Sequence, residues 1–157
     1  MGLDLGRVRV LDIGCGNGFY AGLFKDAGVV DYTGVDVTDV LFPRLREAYP
    51  GFRFIRKDIT SEGMGGERFD LVLMIDVIEH IVTSEKLNGA LENVKGCLKE
   101  GGVFMVSPVF KSDRRLLFNV KEWARADIEP MFQGYAVDVV SGFRGADMLV
   151  VRRHTNP

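Results

Sequence analysis

Short, almost wholly apolar runs alternate along this chain with longer stretches in which apolar residues recur every three or four positions. Residues 8–13 (VRVLDI) read as a buried strand that closes on the turn Gly14-Cys15-Gly16-Asn17-Gly18. Residues 19–27 then carry a helical pattern, ended by Gly28 in the position that favours a left-handed residue. A second strand is predicted at 32–37, and a helix at 40–49 with Pro43 in its first turn and Pro50-Gly51 beyond its end. Residues 52–56 form a short third strand, expected near a sheet edge. A polar loop with Gly63, Gly65 and Gly66 leads into 69–75, a continuous apolar strand of the kind buried on both faces.

In the second half, Ser84 is the expected cap of a helix carrying Leu87, Leu91, Val94 and Leu98 on one face. Gly101-Gly102 is expected to stop it, before a fifth strand at 103–107. A last helix is predicted at 120–131. Strands at 136–140 and 148–152, joined through 141–147, should pair as a hairpin. Strand–helix alternation with short connections predicts a doubly wound, mostly parallel sheet of seven strands, with helices on both faces and an antiparallel C-terminal hairpin. In such sheets ligands sit beyond the C-terminal strand ends, where the strand order reverses.

The chemistry-bearing residues fall at those ends. Gly14, Gly16 and Gly18 let a ligand approach the main chain, and the helix that follows offers N–H groups. Their spacing is not that of a dinucleotide fingerprint, because the third glycine follows the second by two positions. Asp12 is unexpected in a buried strand. Asp36 ends the second strand, where a carboxylate can accept both hydroxyls of a ribose. Asp76 ends the fourth, and a carboxylate there must face a cleft or be hydrogen-bonded. Glu79 and His80 follow it, and an imidazole such as that of His80 is the side chain best suited to act as a general base near neutral pH. Positioning of substrate or a backbone hydrogen bond are its alternative roles.

The run VLDIGCGNGFY, with Asp36 placed 18 residues beyond Gly18, resembles motif I and the following acidic motif of class I S-adenosylmethionine-dependent methyltransferases. The resemblance implies a Rossmann-like fold, S-adenosyl-L-methionine as cofactor and S-adenosyl-L-homocysteine as product. It assigns to the cofactor Asp12, Gly14, Cys15, Gly16, Asn17, Gly18 and Tyr20, then Asp36 with Val37, Asp58 with Ile59 against the adenine, and Asp76 with Val77. It extends through DVIEH, frequent in small-molecule members, so His80 and Asp76 are the catalytic candidates. The implied function is methyl transfer from the sulfonium to an oxygen, nitrogen or carbon acceptor, framed by residues 76–80 and 108–118. The alternatives are a non-catalytic S-adenosylmethionine-binding subunit completed by a partner, and a nicotinamide enzyme of related architecture. Asp76, Glu79 and His80 also resemble the metal cluster of RNA 2′-O-methyltransferases. That pattern needs a further histidine, and His154 stands in a tail, so no metal is expected. No Asn/Asp-Pro-Pro-Tyr/Phe segment follows the fourth strand, and Trp123 is expected in the core or at the rim.

Composition narrows this picture further. The 157 residues are 46% apolar and 27% charged and fit one domain, read as 1–157 without the helices that usually precede the first strand. A net charge of −2 gives no sign of nucleic-acid binding. Two cysteines suggest no disulfide framework, and no apolar run nears the roughly 20 residues of a membrane span. Met1-Gly2 opens like a myristoylation signal, which Gly6 spoils. A cytoplasmic protein is expected, with a methyl acceptor as partner and homo-oligomers open through sheet edges.

Overall fold

The computed structural model describes residues 4–155, so the Met1-Gly2 dipeptide lies outside the described residues. Five strands run parallel: β1 (Arg9–Ile13), β2 (Asp31–Asp36), β3 (Arg53–Arg56), β4 (Phe69–Ile75) and β5 (Leu98–Val109). Two more, β8 (Ala136–Phe143) and β9 (Ala146–Arg152), form the expected hairpin. In it β9 lies antiparallel to both β5 and β8. The seven-stranded order is β3-β2-β1-β4-β5-β9-β8, so β3 is an edge and the order reverses between β1 and β4.

Each face of the sheet is sealed by its own set of side chains. On one, Ala21 of α1 (Phe19–Asp26) and Phe42 and Leu45 of α2 (Phe42–Ala48) pack over Val10, Tyr32, Leu71 and Leu73. On the other, Leu87, Leu91 and Val94 of α3 (Ser84–Cys97) join Leu11, Val72, Phe104 and Leu149. Alternate residues of β1 and β4 therefore enter two different cores. That is why these strands are apolar at nearly every position.

Four expectations are corrected. Thr83, not Ser84, caps α3, its hydroxyl accepting the Lys86 N–H at 3.3 Å. The helix ends at Cys97 rather than at Gly101-Gly102. Leu98 instead pairs with Phe69, and the two glycines lie in an irregular stretch of β5, where the Gly101 N–H donates to Arg153 O and the Arg153 N–H to Gly102 O, both at 3.0 Å. No helix spans 120–131. Residues Val120–Glu122 form β7 against β6 (Arg114–Leu117), followed by a single turn, α4 (Arg125–Ile128), and a 3-10 turn at Glu129–Phe132. Lastly, the β8–β9 connection is two residues long, not seven, because Phe143 pairs with Ala146. Trp123 is buried, and its indole N–H donates to Ile81 O at 2.7 Å, fastening this inserted segment to the loop after β4.

Candidate functional site

The turn between β1 and α1 is braced from below. The N–H groups of Gly14 and Cys15 both donate to Val35 O, at 2.8 and 3.0 Å, and Gly18 N–H donates to Cys15 O at 2.9 Å. The Gly16 N–H donates to Asp36 Oδ2 at 3.0 Å, while Asp36 Oδ1 accepts from Thr38 N–H at 3.1 Å. Asn17 Oδ1 accepts the Phe19 N–H at 3.2 Å, so this helix-start donor is taken up within the turn itself. Gly14 has φ 74 and sits against Val77, the residue after Asp76, so the β1 turn and the β4 loop touch here.

A cleft of about 380 Å³ opens over the C-terminal ends of β1 to β4. Its walls include Gly14, Asp36, Val37, Asp58, Ile59, Asp76, Val77 and His80. The topology thus gathers in one hollow residues that the sequence spreads over 67 positions. Lys57, Thr60 and Lys86 also line it and had no motif to mark them. Asp12, Cys15, Gly16, Asn17, Gly18 and Tyr20 do not form its walls. Asp12 and Cys15 are buried beneath the turn.

Environment sets these carboxyls apart. Asp58 is held below the usual carboxylate range, first by the Thr60 hydroxyl at 2.7 Å, then by the Thr60 N–H at 2.9 Å and nearby Lys86. It is a fixed acceptor. Burial pushes Glu79 up, and one of its oxygens is buried without a hydrogen-bond partner among the described residues. Burial also pushes the Cys15 and Cys97 thiols up, to about 12 and 11, so neither is a poised nucleophile. Among the described residues no three His, Cys, Asp or Glu side chains are grouped to hold a metal ion.

Asp12 is 2% exposed and accepts the Tyr32 hydroxyl at 2.5 Å. Burial pushes its carboxyl up to about 7, the Tyr32 hydrogen bond pulls it back, and Asp36 adds to the rise. The folded chain therefore keeps a proton that the unfolded chain loses near its ordinary value of 3.8. Stability from this group is complete below pH 4 or so and is lost as pH rises towards about 7. Asp12→Asn keeps an acceptor for Tyr32 and removes the charge. It is expected to raise stability at pH 8 by about 1–3 kcal/mol and to flatten the pH dependence, as followed by urea unfolding between pH 4 and 8. An unchanged pH profile would show that Asp12 does not titrate here.

Residues 10–102 match the sequence profile of the methyltransferase domain family. A fatty-acid O-methyltransferase of Mycolicibacterium smegmatis is 30% identical over 129 residues, covering 78% of this chain and 43% of that protein. A ubiquinone biosynthesis O-methyltransferase of Cereibacter sphaeroides is 30% identical over 122 residues, covering 74% and 48%. The chain thus spans less than half the length of these relatives. In fold it is similar to DesVI of Streptomyces venezuelae, with TM-score 0.79, 18% identity and coverage of 95% of this chain and 85% of that one. It is also similar to CalS10, an amino pentose methyltransferase of Micromonospora echinaspora solved with S-adenosylmethionine, with TM-score 0.77, 16% identity and coverage of 93% and 83%.

Proposed function

The chain belongs to the class I S-adenosylmethionine-dependent methyltransferase family, and from that premise we propose that it acts as a methyltransferase domain on an oxygen, nitrogen or carbon acceptor. The observation that carries this is the single cleft wall formed by Gly14, Asp36, Asp58 and Asp76, one from the end of each adjacent parallel strand. The fit to the cofactor rests on that wall. Gly14 brings bare main chain to the cleft, packed so closely against Val77 that no side chain fits there. The Asp36 carboxylate has lone pairs left for a diol, and Ile59 and Val37 give apolar surface beside the Asp58 acceptor.

Bound S-adenosylmethionine supplies an electrophilic methyl on a positive sulfur. The chain's own task is then positioning, exclusion of water and removal of one proton. Asp36 and Asp58 hold the nucleoside. Val77 and Ile81 make the cleft floor apolar, and His80 on the 3-10 turn Ile78–His80 is the group placed to take a proton from an acceptor. Residues 1–157 work as one unit in this reading, and two free buried thiols support a reducing, cytoplasmic setting. No helix among the described residues is long and apolar enough to cross a membrane.

The test is equilibrium binding of S-adenosylhomocysteine with NADH as competitor, followed by S-adenosylhomocysteine release from S-adenosylmethionine in the presence of hydroxy and amino acceptors. Binding that NADH does not displace, with release dependent on an acceptor, is the expected result. Displacement by NADH would sink the cofactor reading. Binding without turnover across acceptors would leave a binding subunit instead.

A further inference from the structure

The tip of the β8–β9 hairpin, which no sequence motif marked, is tied to the cleft through Asp76. Arg144-Gly145 is its two-residue loop, with φ 52 and 87. A turn with both central residues left-handed favours Asn, Asp or Gly in the first place, so arginine has no local reason to stand there. Its guanidinium crosses to the end of β4, where Nη1 pairs with Asp76 Oδ2. Asp76, at φ 57, is the only other non-glycine residue with positive φ among the described residues. The two side chains whose backbone is forced left-handed are therefore ion-paired with each other. Tyr20, on the first turn of α1, has its hydroxyl beside the Arg144 guanidinium.

Fold stability does not account for this arrangement. The two side chains are 54% and 50% exposed, and an ion pair so open to water stabilises little. Strained residues that persist at the mouth of a cleft are a mark of ligand clamps. The strand order places Asp58, Asp36, Gly14 and Asp76 in a row across the sheet. If the nucleoside occupies the first two, the remaining end of the row is where Arg144 arrives.

We propose that Arg144 and Asp76 together receive a zwitterionic amino-acid group, the methionyl end of the cofactor, with Arg144 taking the carboxylate and Asp76 the ammonium. This rests on the cofactor reading above. Arg144 spends one terminal nitrogen on Asp76, and the rest of its fork matches a carboxylate in two-point geometry. The pair presents its charges in the order opposite to those of the ligand. Each ligand charge then relieves the one-sided pairing of the free state.

The experiment compares S-adenosylhomocysteine with 5′-methylthioadenosine, which keeps the nucleoside and the thioether and lacks the amino acid. Isothermal titration of wild type, Arg144→Ala and Arg144→Lys reads both ligands. Wild type should bind S-adenosylhomocysteine more tightly. Arg144→Ala should weaken it about ten- to a hundredfold while leaving 5′-methylthioadenosine unchanged, and Arg144→Lys should fall between. Unchanged S-adenosylhomocysteine binding in Arg144→Ala overturns the proposal, including the case in which Arg144 serves an anionic acceptor instead. Equal weakening of both ligands also overturns it, by showing a structural role. Failure of wild type to bind either ligand removes the underlying cofactor reading, and this proposal with it.

Discussion

Replacing Asp36 with alanine should lower affinity for S-adenosylhomocysteine by a hundredfold or more, a loss of about 3–5 kcal/mol by isothermal titration. The size follows from the number of bonds involved. A carboxylate has about four acceptor positions. Two are committed, Oδ2 to the Gly16 N–H at 3.0 Å and Oδ1 to the Thr38 N–H at 3.1 Å. The remaining two suit a vicinal diol, and hydrogen bonds to a charged acceptor contribute about 1.5–3 kcal/mol each. The brace to Gly16 is lost in the same variant, so part of the effect is a loosened turn. Asp36→Asn separates the two contributions. It keeps an acceptor oxygen at lower charge, and should lose affinity by an intermediate factor with little change in melting temperature. A folded Asp36→Ala protein that binds as wild type does would remove Asp36 from the site.

The residues at the strand ends were legible in the sequence for a physical reason. A parallel strand covered on both faces has no polar positions of its own, so the first charge after the run marks where the chain leaves the sheet. Asp36 and Asp76 each stand at such a break and line the cleft, whereas Asp58, which also lines it, follows Arg56 and Lys57 after an edge strand. Asp12 breaks the same rule inside a strand. The structure accounts for it through burial against the Tyr32 hydroxyl, a contact 20 residues away that no local pattern reports.

What the sequence did not disclose was decided by tertiary pairing. Val120, Trp123, Ala124 and Ile128 recur at helical intervals, yet β7 is held extended by β6. Phe110 and Trp123 add a 2.9 Å backbone hydrogen bond that continues this pinning. Leu98 keeps the period of α3 and belongs to β5, because its partner is Phe69 in the neighbouring strand. Arg144 is hidden in the same way, since in a seven-residue loop it is one polar position among several. Only the pairing of Phe143 with Ala146 puts it at the tip. A Phe-Arg-Gly-Ala tight turn carries no usual sequence signal, since the residue that would announce it, asparagine or aspartate, is absent.

Gly14→Ala should destabilise the fold by about 3 kcal/mol, which for a domain of this size lowers the melting temperature by roughly 10 °C. Two separate costs add at this position. The backbone is left-handed, φ 74, where any side chain is strained by about 1 kcal/mol or more. The new methyl would also lie 2.2 Å from Val77 Cγ2 and 3.3 Å from both its Cβ and Cγ1, far inside contact distance. Val77 has little means of retreat. It is β-branched, with few side-chain rotamers open to it, and it precedes the 3-10 turn that carries His80. The loop after β4 would have to move instead, and it is fastened by the Asp76 N–H to Ser107 O at 2.8 Å and by Trp123 to Ile81 O at 2.7 Å. A double-mutant cycle with Val77→Ala divides the total. Removing the valine methyls should recover about 1–2 kcal/mol of the Gly14→Ala loss and leave the backbone part behind. Urea unfolding of the four proteins measures both quantities. A coupling near zero would mean that the β1 turn and the β4 loop do not touch, and the cleft they jointly wall would then lack its closed end.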